Sequence, residues 1–200
     1  MKSTVSLLML LAVTAVQASE VAPEATVERA VHVCASCHGE STRNKNESIP
    51  NIAGQMPLYL EAQLKDFRSQ ARAETDIQAY MWGISALLDD NTIKGLSQYF
   101  AAQSPTPGRP GEAKRIAEGR KIFVEGIPDK GVRACAGCHG ASAEGASVFP
   151  RLAGQKSGYI VRQLQIFGTR LRPHGVLMKN EVADLSGDQM RAVAEYVQSL

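Results

Sequence analysis

The chain contains the stretch Cys34-Ala35-Ser36-Cys37-His38, and the same pattern returns as Cys135-Ala136-Gly137-Cys138-His139. Together the two stretches hold all 4 cysteines of the 200 residues. In a Cys-x-x-Cys-His motif the two thiols can join covalently to the two vinyl groups along one haem edge, and the next residue supplies an imidazole to the iron. The sequence therefore predicts two covalently attached haem c groups, with thioether bonds to Cys34, Cys37, Cys135 and Cys138 and axial imidazoles from His38 and His139.

Two other kinds of site use a Cys-x-x-Cys pair. A thioredoxin-like redox centre needs a strand and a helix around the motif, and that context is absent here. A single four-ligand zinc site would need the two halves of the chain to meet, and it would leave the histidine after each second cysteine unexplained. Haem attachment accounts for both cysteines and the histidine in both copies, so we favour it.

The first 18 residues are typical of a secretory signal peptide. Lys2 follows Met1, an almost wholly apolar run covers residues 5–16, and small residues allow cleavage after Ala18. The apolar run is too short to span a bilayer comfortably, and an uncleaved anchor is the alternative. We therefore expect removal of residues 1–18, which leaves 182 of the 200 residues, and we expect the mature protein in the periplasm.

The formal charge of the full chain is only +2. Loss of Lys2 lowers this charge by one, and the haem propionates would make it negative, so nothing indicates a nucleic-acid partner. An oxidising compartment favours disulfides between free thiols, but thioether attachment leaves no cysteine to pair. Export and haem attachment are therefore consistent with each other.

A second repeated segment shows that the motifs belong to longer repeats. Pro50-Asn51-Ile52-Ala53-Gly54-Gln55 returns 100 residues later as Pro150-Arg151-Leu152-Ala153-Gly154-Gln155. Towards the end of each repeat the offset becomes 97, as small insertions would produce. The chain therefore consists of two homologous haem domains in tandem, predicted over residues 19–103 and 113–200.

Residues 104–112 are predicted to be the linker between these domains. The segment Ser104-Pro105-Thr106-Pro107-Gly108-Arg109-Pro110-Gly111 is rich in proline and glycine, which exclude both helix and strand. Its composition favours a stiff, extended connection. The two domains are therefore expected to hold a limited range of relative orientations.

Helical patterns predominate in both domains and predict an all-α fold. Apolar residues recur at helical spacing over residues 113–124, before the second haem motif, and over the shorter matching stretch 24–33. Pro57 suits the first position of the next helix. No convincing alternating strand is found.

The closing helix of each domain has a recognisable start. Ser186-x-x-Gln189 is a capping box, and Asp89 or Asp90 caps the matching helix of the first domain. A domain of about 80 to 90 residues has a thin core by itself. Covalent haem is expected to supply the missing apolar centre.

These features resemble a dihaem class I cytochrome c of the cytochrome c4 family. The resemblance rests on the two haem motifs, the paired Pro-x-x-Ala-Gly-Gln segments, and Met81 and Met178 ahead of the capped closing helices. It implies two tandem class I cytochrome c domains, each wrapped around one covalently bound haem with His/Met ligation. It also implies that the carbonyls of Pro50 and Pro150 accept a hydrogen bond from the axial imidazoles.

The family usually packs a glycine of the first helix against an aromatic residue of the last helix. Gly119, with Phe123 and Tyr196, fits this arrangement in the second domain. The first domain has Val27 at the position of the glycine. That helix contact must therefore be arranged differently, and the first domain is expected to be the less regular one.

The repeat also sorts the methionines that follow the signal peptide. Met81 matches Met178 at the offset of 97, whereas Met56 and Met190 have no methionine at the matching position. We therefore predict Met81 and Met178 as the sixth iron ligands, a thioether ligation that raises the reduction potential. The rival candidates for the sixth ligand are His174, four residues before Met178, and His32, two residues before Cys34. Neither has a counterpart in the repeat, so both are expected to be partly exposed surface residues.

Filled axial positions on both irons leave no site for a substrate, so the sequence predicts an electron carrier and not an enzyme. The resemblance to the cytochrome c4 family implies one-electron transfer between respiratory partners, from a cytochrome bc1-type donor or a dehydrogenase toward a terminal oxidase. Two alternatives stay open. The first is the cytochrome subunit of a periplasmic dehydrogenase, such as a flavoprotein that oxidises sulfide. The second is a haem peroxidase, which needs an available sixth position. We expect a monomer that docks weakly and meets a membrane only through its partners.

Overall fold

The computed structural model describes residues 22–39, 45–73 and 77–200, except for the side chains of residues 77 and 78. The predicted signal peptide, residues 1–18, lies outside the described residues. No helix within the described ranges is both long enough and apolar enough to cross a bilayer.

The described chain is helical and contains no β-strand, which confirms the predicted all-α class. Extended pairing in these ranges is limited to two isolated bridges, Ile127 with Val132 and Ala146 with Phe149. The α-helices, in chain order, are α1 (Glu24–His38), α2 (Pro57–Arg68), α3 (Ile77–Ala86), α4 (Asp90–Ala101), α5 (Ala113–Glu125), α6 (Ala136–His139), α7 (Ser157–Phe167), α8 (Val176–Val182) and α9 (Gly187–Ser199).

The first haem motif lies inside a helix, so the predicted end of that helix at Val33 is wrong. Helix α1 runs for 15 residues to His38 and is longer than the 13-residue α5, not shorter. In the second domain α5 ends at Glu125, and the separate short helix α6 carries the motif. Gly126, with a φ of 74°, ends α5, and Pro128 begins a 3-10 turn. Residues 24–38 contain neither glycine nor proline, so α1 continues.

The starts of the closing helices follow the predicted caps. Asp89, not Asp90, is the N-cap of α4, and its side chain accepts a hydrogen bond from the helix backbone at 2.7 Å. Ser186 and Gln189 form both hydrogen bonds of the capping box at the start of α9. These side chains satisfy backbone donors that have no partner within the helix.

The second domain has the larger described core, where α5 crosses α9. A Cβ at Gly119 would lie 2.0 Å from the carbonyl oxygen of Ala192, so only glycine permits this close approach. Phe123 is fully buried beside the crossing, and its ring centroid lies 5.4 Å from that of Tyr196. The predicted packing of Gly119 with these aromatic residues is confirmed.

The first domain has a smaller buried cluster. Leu96 and Phe100 of α4 pack there with Val31 of α1, and all three are buried. Val27 packs at the edge of this cluster. Side-chain packing thus replaces the glycine contact of the second domain, as the sequence predicts.

The linker segment contacts both domains. The backbone N–H of Arg109 donates to the carbonyl of Gln198 at 2.9 Å, and the Arg109 side chain bonds Glu47 at 2.8 Å. A Cβ at Gly54 would lie 2.5 Å from the side chain of Pro105, so the linker also packs closely against residues 50–55 of the first domain. These contacts agree with a stiff linker, and the exact domain limits stay a prediction.

Candidate haem-binding site

One continuous cavity of about 1110 Å³ lies between the two domains, and both Cys-x-x-Cys-His motifs reach it. Its wall is mainly apolar, with side chains from α2, α4, α7 and α9. All eight predicted site residues line it: Cys34, Cys37, His38, Met81, Cys135, Cys138, His139 and Met178. A large apolar space bordered by two pairs of thiols and two imidazoles fits two covalently attached haem groups.

The last turn of α1 places His38 with its Nδ1 2.9 Å from the carbonyl oxygen of Pro50. A carbonyl can only accept, so Nδ1 carries the proton and Nε2 keeps its lone pair for a metal. Burial lowers the pKa of this imidazole. The neutral form, which binds metal ions, is therefore favoured. The predicted hydrogen bond between His38 and Pro50 is confirmed.

His139 repeats this arrangement on α6. Its Nδ1–H donates to the carbonyl of Pro150, again at 2.9 Å, and burial again lowers the pKa of the imidazole. The side chain is only 6% exposed. The predicted hydrogen bond to Pro150 is confirmed, so both motifs offer the same nitrogen in the same protonation state.

The first cysteine of each motif is held as a neutral thiol. Burial raises the pKa of Cys34 and of Cys135 to about 11. Thiol–disulfide exchange and zinc binding both use the thiolate, which this environment disfavours. All cysteines and histidines are among the described residues, and no three His, Cys, Asp or Glu side chains there are placed to hold a metal ion.

Two helices at matching positions carry the methionines that the repeat selects. Met81 on α3 and Met178 on α8 both line the cavity. Neither of the other two does so: Met190 is buried in the core of the second domain, and Met56 is the N-cap of α2. The two methionines that match each other in the repeat are thus also the two that line the cavity.

The two unmatched histidines are surface residues, as predicted. His32 is exposed on α1. His174 is also exposed, and its Nδ1 lies 2.7 Å from Oδ1 of Asp66 in the other domain. His174 therefore takes part in the contact between the domains.

Sequence analysis missed a set of polar side chains that joins the domains. Arg72 bonds both Gln63 of its own domain and Gln163 of the other, at 2.9 and 3.0 Å. Arg172 bonds the same two glutamines, each at 2.6 Å. Both pairs recur at the 100-residue offset, so the repeat contains a signal that singles them out. The repeat does not indicate, however, that Gln63 and Arg72 contact the matching pair in the other domain.

Comparisons with known proteins agree with this geometry. The family model for cytochrome c matches residues 116–200. Cytochrome c4 of Thiocapsa roseopersicina is 36% identical over 89% of this chain and 92% of its own length. A crystal structure of cytochrome c4 from Pseudomonas stutzeri superposes with a TM-score of 0.78 at 29% identity, covering 90% of this chain and 99% of that chain. A thiosulfate dehydrogenase electron acceptor of Thiomonas intermedia is 31% identical over 82% of this chain and 76% of its own length.

The similarity to cytochrome c4 spans both domains and nearly the full length of those relatives. It confirms the predicted architecture of two tandem class I cytochrome c domains. It also confirms the predicted cofactor, two haem c groups attached covalently. The chain therefore belongs to the cytochrome c4 family of dihaem electron-transfer proteins.

Proposed function

We propose that this chain carries single electrons between redox proteins of the periplasm and performs no substrate chemistry of its own. One observation carries the proposal: both haem motifs and both repeat-matched methionines line a single cavity. An iron with an imidazole on one face and a thioether on the other has no position left for a substrate. The pattern of residues 1–18, typical of a signal peptide, supports the periplasmic location.

In this proposal each domain uses the same set of residues. The paired cysteines would attach the haem, and His38 with Met81 in the first domain and His139 with Met178 in the second would supply the ligands of the iron. The haem groups, when bound, supply the one-electron chemistry. The carbonyls of Pro50 and Pro150 hold the imidazoles in one tautomer and one orientation.

We place the carrier between a cytochrome bc1-type donor or a dehydrogenase and a terminal oxidase. Thioether ligation raises the reduction potential of haem iron, which suits delivery of electrons near the oxidising end of a respiratory chain. A carrier of this kind uses small, transient interfaces. We therefore propose a monomer that docks with each partner in turn.

A second candidate function is that of electron acceptor for a periplasmic dehydrogenase. It is favoured by the 31% identity to a thiosulfate dehydrogenase electron acceptor over 82% of this chain. The sequence also leaves open a permanent subunit of a dehydrogenase, for example of a flavoprotein that oxidises sulfide. These roles keep the same ligand set and differ only in the donor.

The ligand assignment is tested by absorption spectroscopy of the oxidised holoprotein. The wild type should show two low-spin haems with the methionine-to-iron charge-transfer band, and Met81→Ala and Met178→Ala should each lose about half of that band, since each removes one of two thioether ligands. Met190→Leu is the matched control and should keep the band, because Met190 is a core residue. A high-spin haem in the wild type, or an unchanged band in either ligand variant, would refute the assignment.

The donor is tested by rapid mixing and by purification from the native periplasm. Thiosulfate with a thiosulfate dehydrogenase should reduce the protein within the turnover time of that enzyme if the second candidate function holds. Membranes that contain a terminal oxidase should reoxidise it if the first one holds. Elution with a dehydrogenase through size exclusion would indicate a permanent subunit, and elution alone would indicate a free carrier.

A further inference from the structure

The repeated Pro-x-x-Ala-Gly-Gln segments contact each other across the domain interface through their glutamines. Gln55 Nε2 donates to the carbonyl of Arg151 at 3.0 Å, and Gln55 Oε1 accepts from the Arg151 N–H at 2.7 Å. Gln155 Nε2 donates to the carbonyl of Asn51 at 2.8 Å, and Gln155 Oε1 accepts from the Asn51 N–H at 2.9 Å. Each side-chain amide therefore binds both backbone groups of one residue in the other domain.

The two amides are fixed in this orientation. Gln55 is 6% exposed and Gln155 is 5% exposed. Each Oε1 also accepts the backbone N–H of the next residue, Met56 at 2.9 Å and Lys156 at 3.0 Å. A buried amide that loses these partners leaves its own groups and two backbone groups unpaired, which is costly.

The N–H that each glutamine accepts belongs to the peptide unit whose carbonyl orients a haem histidine. The N–H of Arg151 and the carbonyl of Pro150 are parts of one planar peptide group. On one side of that group Gln55 accepts the N–H, and on the other side His139 donates to the carbonyl at 2.9 Å. The peptide group of Pro50 and Asn51 lies between Gln155 and His38 in the same way.

Hydrogen bonds in series through one peptide group strengthen each other, because accepting the N–H polarises the carbonyl. A more polarised carbonyl is a better acceptor for the imidazole N–H. It holds the ring more firmly and raises the basicity of the nitrogen that faces the metal. The glutamine of each domain thus strengthens the hydrogen bond that orients the histidine of the other domain.

We propose that Gln55 is a positioning residue for His139 and that Gln155 is a positioning residue for His38. The inference rests on the axial role of these histidines proposed above. It goes further because it makes the ligand geometry of each domain depend on the other domain. Separation of the domains would loosen both imidazoles together.

The hydrogen bonds of the imidazoles can be measured directly in the reduced holoprotein. The chain has only 4 histidines, so labelling them with ¹⁵N gives a simple spectrum of ring N–H groups. Gln55→Met keeps the volume of the side chain and removes its three hydrogen bonds, those to the Arg151 carbonyl, the Arg151 N–H and the Met56 N–H. It should speed exchange of the His139 Nδ1–H with solvent by about fivefold, the factor for one hydrogen bond of ~1 kcal/mol, and leave His38 within about twofold of the wild type. Gln155→Met should give the reverse pattern.

Two further variants separate positioning from general loosening of the interface. Gln55→Glu, with its buried carboxyl protonated, keeps both an acceptor for the Arg151 N–H and a donor for the Arg151 carbonyl, so it should restore most of the protection of His139. Gln63→Ala removes the bonds to Arg72 and Arg172 elsewhere in the same interface, and it should not reproduce the effect on either histidine.

The proposal is overturned if a glutamine variant affects the histidine of its own domain more than that of the other, if it affects neither, or if Gln63→Ala gives the same pattern. A redox titration of the holoprotein provides a second readout. In each Gln→Met variant the midpoint potential of the haem in the opposite domain should be higher than in the wild type, because its histidine ligand is less basic. Ring signals without the shifts that a bound haem causes would instead refute the axial assignment. That result is distinct from the exchange pattern.

Discussion

At the scale of single residues, two helical glycines predict opposite effects of the same substitution. A Cβ at Gly119 would lie 2.0 Å from the Ala192 carbonyl oxygen and 2.9 Å from Cβ of Tyr196, both parts of α9. Gly119→Ala should therefore destabilise the holoprotein by about 3 kcal/mol through overpacking. Gly83, in the middle of α3, has no described heavy atom within 4 Å of such a Cβ. Gly83→Ala should stabilise by about 0.5 kcal/mol, because alanine loses less backbone entropy in a helix.

Denaturant unfolding of both variants, followed by circular dichroism, measures these changes. The pair controls for the substitution itself, since both add one methyl group to a helical glycine. Loss of less than about 0.5 kcal/mol in Gly119→Ala would show that α5 and α9 can separate without cost, contrary to the packing described.

Site residues that belong to one short motif could be predicted from the sequence. The cysteines and histidines follow from five consecutive residues, and the repeat then selects Met81 and Met178 from four methionines. The sequence shows that Gln55 recurs as Gln155 but does not indicate what its side chain contacts. Its hydrogen-bond partner, Arg151, is 96 residues away, and no local pattern encodes a contact between two domains.

At the scale of the helix, the closing helices of the two domains begin with different chemistry at matching positions. Asp89 caps α4 and Ser186 caps α9, 97 residues later. Hydrogen bonds from the backbone and side chain of Thr92 lower the pKa of Asp89. Because the folded pKa lies below the ordinary value of about 3.9, the contribution of this cap is complete above that value and is lost as the pH falls through the folded pKa. Acid should therefore weaken α4 and leave the cap of α9 unchanged.

Denaturant unfolding at a series of pH values tests this difference. The stability advantage of the wild type over Asp89→Ser should be constant above about pH 5 and should shrink below about pH 4. Ser186→Ala should cost about 1 kcal/mol at every pH, because a hydroxyl cap does not titrate in this range. Parallel pH profiles for the wild type and Asp89→Ser would contradict the prediction.

Helix starts were predicted more accurately than helix ends. Caps and first-turn prolines are local signals, and Pro57, Asp89 and Ser186 all act as the sequence suggests. The end of α1, predicted at residue 33, lies five residues further along the chain at residue 38. Without a glycine or proline before it, the motif of the first domain simply continues the helix to His38.

At the scale of the whole molecule, the interface joins equivalent surfaces of two homologous domains. Arg72 bonds Gln163, and in the reciprocal contact Arg172 bonds Gln63. The Ala73 N–H also donates to the Leu171 carbonyl at 2.9 Å. Such a surface complements itself, as in a symmetric dimer. Small domains with thin cores gain stability from this contact, so the two domains should unfold together.

Arg72→Met tests that coupling, because it removes a buried guanidinium that bonds Tyr159 and Gln163 of the second domain at 3.0 Å. Hydrogen bonds to charged groups contribute about 1.5 to 3 kcal/mol each, so loss of the two bonds should lower the coupling between the domains by about 3 kcal/mol or more. Calorimetry should then show two unfolding transitions in place of one. Arg68→Met is the matched control, because it also replaces one arginine of the first domain by methionine. Arg68, however, bonds Asp90 and the Leu88 carbonyl within the first domain. The Arg68→Met variant should keep a single transition. A single transition at the wild-type midpoint in Arg72→Met would show that the linker and not the interface holds the domains together. Equal splitting in Arg68→Met would show that the effect of Arg72→Met is not specific to the interface.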